Sequence, residues 1–313
     1  MHVVLYSPQR LPVRGYGGTE RVVVHLARGL AELGHRVTLI AGEGSRVPEA
    51  RLVPIDLRRG RENLAQLMPE DADILHSHVP FRTPPPVPHV WTMHGNPRPG
   101  EQIPANTIFL SANHARRLGG TAYVHNGLDP AEYQFRTVKS DYDLFLGRLH
   151  SVKGYHWAIE GAKRSGRRLV LAGGWRPSLH RLVRYVGSVQ GAEKVEWLAG
   201  ARCLWMPALW EEPFGLTLIE ALMSGTPVLG THRGALPEII TPDVGLLGDS
   251  VDELVAHATR IARIDPEACR ARALAHFTHV RMAEAYARMY QTYLARGELP
   301  AGKGSGDPEP PVA

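Results

Sequence analysis

Two glutamates separated by seven residues carry the strongest chemical signal in the sequence. Glu212 lies in a loop after an apolar run, and Glu220 lies within the helix predicted to follow that loop. A helix N-terminus presents backbone N–H groups, so residues 214–216 suit an anionic leaving group, while Glu220 could accept hydrogen bonds from ribose hydroxyls. Two glutamates that merely face solvent do not explain why apolar residues flank Glu220 on both sides.

Two cations lie on a loop after the first predicted strand of the second half of the chain. Arg148 and Lys153 are five residues apart, between Gly147 and Gly154, and precede a helix. Arginine offers a bidentate fork and lysine a point charge, so the pair could clamp a diphosphate from two sides. A plain surface loop would seldom set both cations between glycines, which favours a functional interpretation.

A glycine-rich loop over residues 15–18 follows the first predicted strand and precedes a helix that begins near Thr19. Such a loop lets the backbone approach a phosphate or sugar, and the helix N-terminus adds a partial positive charge. The alternative is a tight turn that binds nothing. The loop matches neither the Gly-x-Gly-x-x-Gly fingerprint nor the lysine-containing phosphate loop, which argues against a NAD-dependent dehydrogenase.

Two short strings in the first half could suggest a metal site. Asp71 and Asp73 form an Asp-x-Asp string, but they precede a buried strand and predict a helix-to-strand loop. His76 and His78 would project to one face at a strand end. No third ligand follows at metal-like spacing, so packing or substrate contact is favoured and no metal site is expected.

Short apolar runs alternate with helical patterns, which predicts an α/β architecture with parallel sheets. Predicted strands of the first half cover residues 2–6, 37–40, 74–76, 90–93, 107–110 and 122–124. Those of the second half cover residues 144–146, 169–171, 203–206 and 227–229. Two Rossmann-like domains are expected, with ligands at the carboxyl ends of the strands, where the residues above lie.

The predicted domains are residues 1–138 and 139–280, followed by a helix over 281–297 and a disordered tail over 298–313. The tail is rich in Gly, Pro and acidic residues and cannot bury a core. We expect a cytoplasmic protein with at most peripheral membrane contact, because no window approaches a spanning helix and two distant cysteines fit a reducing compartment. A formal net charge of +5, spread along the chain, argues against a nucleic-acid partner.

The motifs together resemble glycosyltransferase family 4, a large family of retaining enzymes with the GT-B fold. The resemblance covers residues 3–296, and its motifs lie at 17–21, 126–129, 147–154, 212–220, 225–228 and 234–238. It implies two Rossmann-like domains facing each other across a cleft, with a C-terminal helix that crosses back to the first domain. It also implies transfer of a hexose from a nucleotide sugar, UDP-glucose by frequency in the family, without a cofactor or catalytic metal.

The resemblance assigns roles to individual residues. Arg148 and Lys153 match the pair that stabilises the departing diphosphate. Glu220 matches the glutamate that binds the ribose, and Glu212 matches the one that contacts the donor sugar. The implied donor-binding backbone comprises Gly17, Gly18, Phe214, Gly215 and Leu216.

In the first domain, His94 matches a histidine that points at the donor sugar. Gly95 follows it where an aspartate is common in the family, so another group must orient the imidazole. Tyr16, His78 and the loop 84–88 are expected on the acceptor side, for an unknown sugar, lipid or metabolite acceptor.

Two other classes share the nucleotide-sugar site. A UDP-sugar epimerase of the same fold would need further acid/base carboxylates in the cleft, and the sequence indicates none. A non-catalytic nucleotide-sugar binding protein would bind the donor without hydrolysis or transfer. The complete set of glutamates and cations argues against it.

Overall fold

The computed structural model describes residues 1–13, 15, 17–57, 63–80, 85–178 and 180–303. The chain divides into two compact units: Met1–Leu128 with Thr278–Ala313, and Asp129–Phe277. The sequence placed these boundaries later, after residues 138 and 280. The stretch 129–138 belongs to the second unit because its residues pack there, as Tyr133 does on Glu220.

Strands and helices alternate through both units. The strands are β1 (His2–Ser7), β2 (Arg36–Gly42), β3 (Arg51–Ile55), β4 (Ile74–Ser77), β5 (His89–Thr92), β6 (Thr107–Ile108), β7 (Ala122–Tyr123), β8 (Asp143–Leu146), β9 (Leu169–Ala172), β10 (Val183–Gly187), β11 (Leu204–Met206), β12 (Val228–Gly230), β13 (Gly245–Leu247) and β14 (Gly302–Lys303). The helices are α1 (Gly18–Glu32), α2 (Leu64–Leu67), α3 (Ala112–Arg117), α4 (Tyr155–Ser165), α5 (Gly191–Gly200), α6 (Leu216–Met223), α7 (Leu236–Ile239), α8 (Val251–Arg260), α9 (Pro266–His276) and α10 (His279–Arg296). Within the described ranges, no helix is both long and apolar enough to cross a membrane.

The first unit is built on a parallel sheet with the strand order β3-β2-β1-β4-β5-β6. Val4 of β1 pairs with Thr38 on one side and Leu75 on the other. The order reverses between β1 and β4. The loops after these two strands therefore border the crevice in which such sheets bind ligands.

The C-terminal helix α10 belongs to the first unit, as the family resemblance implies. It packs on α1, whose Leu26 and Leu30 are buried. A Cβ on Gly29 of α1 would lie 2.5 Å from the carbonyl oxygen of His279. Glycine is therefore required at this contact between the two helices.

The chain beyond α10 differs from the predicted disordered tail over 298–313. Gly297 ends the helix with a φ of +74°, and β14 then pairs in parallel with β7. The ordered part of the tail thus completes a two-stranded sheet of the first unit. The remainder of the predicted tail, residues 304–313, lies outside the described residues.

The second unit repeats the same strand order, β10-β9-β8-β11-β12-β13, and its neighbouring strands also pair in parallel. At its centre the fully buried carboxylate of Asp143 accepts two hydrogen bonds from Arg202, each 2.8 Å, and one from the Trp205 indole. Here the order reverses between β8 and β11. The loops 147–154 and 207–215 after these strands carry most of the predicted donor site.

Candidate active site

The loop after β8 is held against the loop after β11. Gly154 has a φ of +70°, and a Cβ there would lie 1.8 Å from the carbonyl oxygen of Pro207. Leu209 donates a backbone hydrogen bond to Val152 at 2.8 Å. Only glycine allows this approach, which brings the end of the cation loop beside Glu212.

The structure brings Lys153 and Glu212 into direct contact. Lys153 Nζ lies 2.5 Å from Glu212 Oε2, and the two side chains are 17% and 9% exposed. The Trp210 indole N–H donates to the same oxygen at 2.9 Å, and its ring lies 4.6 Å from Nζ. A charge-assisted bond with this little solvent holds both groups in one geometry. Arg148 is exposed on the same loop.

The loop after β12 fixes the backbone of Glu212. Gly234 has a φ of +63°, and a Cβ there would lie 2.3 Å from both the nitrogen and the oxygen of Glu212. Ala235 donates to the Glu212 carbonyl at 2.9 Å, and Gly234 donates to Glu211 Oε2 at 2.9 Å. The motif at 234–238 therefore holds the loop that carries Glu212 in place.

Glu220 is buried in α6 and paired with two groups that the sequence reasoning missed. It is 2% exposed, and its Oε1 accepts from Lys194 Nζ at 2.6 Å and from the Tyr133 hydroxyl at 3.0 Å. A buried carboxylate needs a cationic or hydrogen-bonding partner, so some partner could have been expected. Its identity could not, because Lys194 lies in α5 outside any motif.

The predicted donor-binding backbone opens α6. Gly215 has a φ of +90° at the helix N-cap, and no described side chain caps the first turn. Phe214 is buried and meets the Phe277 ring edge-on at 6.1 Å. The N–H groups at Leu216 and after it therefore form an uncapped, rigidly supported helix start, a geometry that suits an anion.

In the first unit, Gly17 is the N-cap of α1 and Gly18 its first residue, again without a side-chain cap among the described residues. Tyr16 lies outside the described residues, as does the first residue of the predicted loop 84–88. His78 and His94 lie together after β4 and β5: His78 Nδ1 is 2.8 Å from His94 Nε2.

A buried polar network adjoins these histidines. His76 is hydrogen-bonded through both ring nitrogens, to the Tyr290 hydroxyl at 2.6 Å and to Thr92 Oγ1 at 2.7 Å. Thr92 also bonds the Tyr286 hydroxyl at 3.0 Å. The occupied nitrogens of His76 fit the packing interpretation of the His-x-His string. Within the described ranges, no group of three or more His, Cys, Asp or Glu side chains is arranged to hold a metal ion.

The histidines are held in their neutral form. Burial holds the pKa values of His76 and His78 well below the usual range, and neighbouring imidazoles lower them further. Burial and the nearby His114 lower the pKa of His94 to about 3.

The Asp-x-Asp string lies at the opposite end of the sheet from these histidines. Asp73 accepts from the backbone N–H of His2 at 2.6 Å, and Asp71 Oδ1 lies 2.9 Å from His2 Nδ1. Both carboxylates thus tie the loop before β4 to the start of β1. This is the helix-to-strand connection that the sequence predicted.

Two family descriptions match the sequence in tandem. Residues 16–129 match Glycosyltransferase Family 4, and residues 142–263 match Glycosyl transferases group 1. The crystal structure of AviGT4, a glycosyltransferase involved in avilamycin A biosynthesis, is similar with a TM-score of 0.79 at 30% identity, over 94% of this chain and 98% of that one. The chain belongs to glycosyltransferase family 4.

Curated relatives of this family 4 glycosyltransferase match over shorter stretches. Glycogen synthase of Mycobacterium tuberculosis is 30% identical over 223 residues, which cover 62% of this chain and 51% of that protein. A GDP-mannose-dependent phosphatidylinositol dimannoside mannosyltransferase of the same species is 44% identical over 61 residues, 20% of this chain and 16% of that protein. The chain thus spans about half the length of the glycogen synthase it matches.

The family 4 glycosyltransferase has the GT-B type of architecture, with two parallel-sheet Rossmann-like domains. Within the second unit, the structure brings Lys153 to Glu212 and pairs Glu220 with Lys194. Within the first, it joins His78 to His94.

Proposed function

We propose that this family 4 glycosyltransferase moves a hexose from a nucleotide sugar to a hydroxyl of a sugar, lipid or small metabolite. UDP-glucose is the favoured donor, configuration is retained, and no catalytic metal or cofactor takes part. The observation that carries the proposal is the 2.5 Å contact between Lys153 Nζ and Glu212 Oε2 at the point where the sheet order reverses. It joins a cation suited to a diphosphate with a carboxylate suited to sugar hydroxyls.

The electrostatics of the second unit support departure of a nucleoside diphosphate. The leaving group develops negative charge that fixed cations and helix N–H groups can stabilise. An ammonium has three N–H donors, so the single bond from Lys153 to Glu212 leaves it capacity for a phosphate oxygen. Arg148 lies on the same loop, and the uncapped start of α6 is nearby in sequence. The protein itself thus supplies the positive charge that a divalent ion supplies in metal-dependent glycosyltransferases.

We assign Glu212 to orienting the donor sugar rather than to covalent attack. Its Oε2 is engaged by an ammonium and by an indole N–H, and both bonds lower its nucleophilicity. A carboxylate so held can still accept hydrogen bonds from the sugar hydroxyls. This assignment agrees with a same-face substitution, in which no glycosyl-enzyme ester forms.

We assign Glu220 to the ribose hydroxyls. Its Oε1 is already fixed by Lys194 and Tyr133, so the carboxylate is preorganised as an acceptor. Lys194 adds a positive charge beside the nucleoside, which suits a polyanionic ligand. For the first unit, we assign Gly17, Gly18 and His94 to the donor, and His78 and Tyr16 to the acceptor side.

A donor panel tests the proposal. Purified protein is incubated in EDTA with UDP-glucose, GDP-mannose or ADP-glucose, and thermal shift and slow donor hydrolysis are measured for wild type and Glu220→Gln. We expect one donor to stabilise the wild type and to be hydrolysed. Loss of a hydrogen bond to a charged group costs about 1.5–3 kcal/mol, so Glu220→Gln should bind that donor about 10- to 100-fold more weakly.

The matched control is Glu160→Gln, which changes an exposed glutamate on α4 and should behave as wild type. Hydrolysis that appears only after Mg²⁺ or Mn²⁺ is added would refute the metal-independent mechanism. Donor binding without hydrolysis or transfer to any acceptor would instead favour a non-catalytic binding protein.

A further inference from the structure

The hydrogen bond between His78 and His94 joins the ends of two neighbouring strands. Ser77 of β4 pairs with Trp91 of β5, and one histidine follows each strand. The Nδ1–Nε2 distance is 2.8 Å, and the ring centroids are 5.1 Å apart. Within the described ranges, the His94 ring makes this one hydrogen bond.

His78 is itself rigidly held, so it can support the His94 ring. It is only 4% exposed, and its ring lies 4.2 Å from that of His76. His76 is itself fixed at both ring nitrogens, as described above. In contrast, the residue after His94 is Gly95, which has no side chain with which to orient the imidazole.

The number of protons on His78 and His94 decides which of the two donates the hydrogen bond. Two neutral imidazoles carry one N–H each, so one proton lies between Nδ1 of His78 and Nε2 of His94. No described group hydrogen-bonds the buried Nε2 of His78. If His94 donated, the proton of His78 would lie on that nitrogen as a buried N–H without an acceptor, which native proteins rarely contain. His78 therefore donates, and among the described residues only the lone pair on its Nε2 is left without a partner.

We propose that His78 is a positioning residue that orients His94 and holds it as the Nδ1–H tautomer. His94 then meets an oxygen of the substrate as a neutral hydrogen-bond donor at Nδ1, not as a general base. The substrate part of this inference rests on the proposed function, whereas the tautomer is a property of the protein alone. The hydrogen bond from His78 therefore orients the His94 imidazole, which Gly95 cannot do because it has no side chain.

The tautomer can be read directly from NMR spectra of the full chain labelled with ¹⁵N-histidine. Long-range proton–nitrogen correlations distinguish Nδ1–H from Nε2–H imidazoles, and the His94 signals among the 16 histidines are assigned with His94→Gln. We expect Nδ1–H for His94 in the wild type. In His78→Leu the donor to Nε2 is lost, and His94 should change to the Nε2–H form that free imidazole side chains favour in water.

Donor hydrolysis supplies the functional measurement, with the nucleotide sugar from the panel that is hydrolysed fastest. Misplacing a reacting group can cost up to about 100-fold, so kcat should fall by as much in His78→Leu while KM changes little. His78→Asn keeps an amide N–H near the position of Nδ1 and should recover most of the loss. His89→Gln, at the other end of β5, is the control and should match wild type.

An unchanged His94 tautomer in His78→Leu, or Nε2–H in the wild type, would overturn the proposal. Circular dichroism verifies folding, and if His78→Leu does not fold, His78→Asn carries the same measurement. In that variant, loss of the Nδ1–H form would also refute positioning by a donated hydrogen bond. If the wild type hydrolyses no nucleotide sugar, the proposed function fails, and the histidine spectrum still decides the positioning role.

Discussion

The first unit should lose stability in mild acid because it buries two neutral histidines. His76 and His78 are 0% and 4% exposed. The described groups that bond to them or stack on them are Thr92, Tyr286, Tyr290 and His94, none of which carries negative charge near neutral pH. Burial raises the pKa values of both tyrosines, so they stay neutral. No carboxylate in this group can compensate a protonated imidazole.

The sign and size follow from proton binding. Because the folded pKa values lie well below the unfolded value of about 6.5, the unfolded chain binds more protons as the pH falls below 6.5. Stability is therefore full above that pH and decreases below it. Between pH 7.5 and 5.0 each of these histidines should cost at most about 2 kcal/mol of unfolding free energy, and His94, whose pKa is lowered to about 3, should add a similar amount.

Amide hydrogen exchange measures this loss locally. Exchange at pH 7.5 and 5.0, corrected for its intrinsic pH dependence, gives opening free energies for peptides that span β4 and β5. Peptides that span β8 and β11 are the internal reference from the second unit. Since His78→Asn removes one of these groups, it should lose less stability than wild type over the same interval, by at most about 2 kcal/mol. Equal losses in wild type and variant would refute the reasoning.

Two glycines and one buried carboxylate give further tests. Gly154→Ala places a Cβ 1.8 Å from a backbone carbonyl, whereas Gly166→Ala, at a nearly identical φ of +69°, meets nothing within 4 Å. Gly166→Ala should lower the unfolding free energy by about 1 kcal/mol in urea. Gly154→Ala should lower it by more and should also weaken donor binding in a thermal-shift assay. Equal effects of the two variants would contradict the argument that Gly154 is required by the loop contact. Asp143→Ala leaves Arg202 buried without its partner and should cost about 3–5 kcal/mol, against less than about 1 kcal/mol for the exposed Asp252→Ala. Similar losses for the two aspartates would show that burial does not control the cost.

Four strands were not predicted from the sequence, and all four are edge strands. β3, β10 and β13 each lie at the end of a sheet and β14 is one of the two strands of its sheet, whereas the central strands were recognised as apolar runs. Pro54 interrupts β3, and most of β10 is only partly buried. A strand that is covered on fewer sides needs fewer apolar residues, so its pattern is weaker. Two of the three residues of β13 are only partly buried, whereas the equally short β11 and β12 are fully buried.

The candidate site was predictable where a motif fixes both residue type and spacing. Glu212 and Lys153 are examples: their loops follow strands that prove to be neighbours. Lys194 and Tyr133 were not predictable, because their contact with Glu220 depends on how α5 and the segment after residue 128 pack. The bond from His78 to His94 likewise requires the register of β4 and β5, which no local pattern contains.

The first unit is discontinuous, and this affects the order in which the chain can fold during synthesis. The ribosome releases Met1–Leu128 long before Thr278 is made. Until α10 arrives, the face of α1 around Gly29 is uncovered and His76 lacks the Tyr290 hydroxyl to which it is hydrogen-bonded. The continuous second unit can complete its own core meanwhile. The first unit therefore stays partly folded until the end of synthesis, and chaperones that bind the chain during translation should bind mainly to this unit.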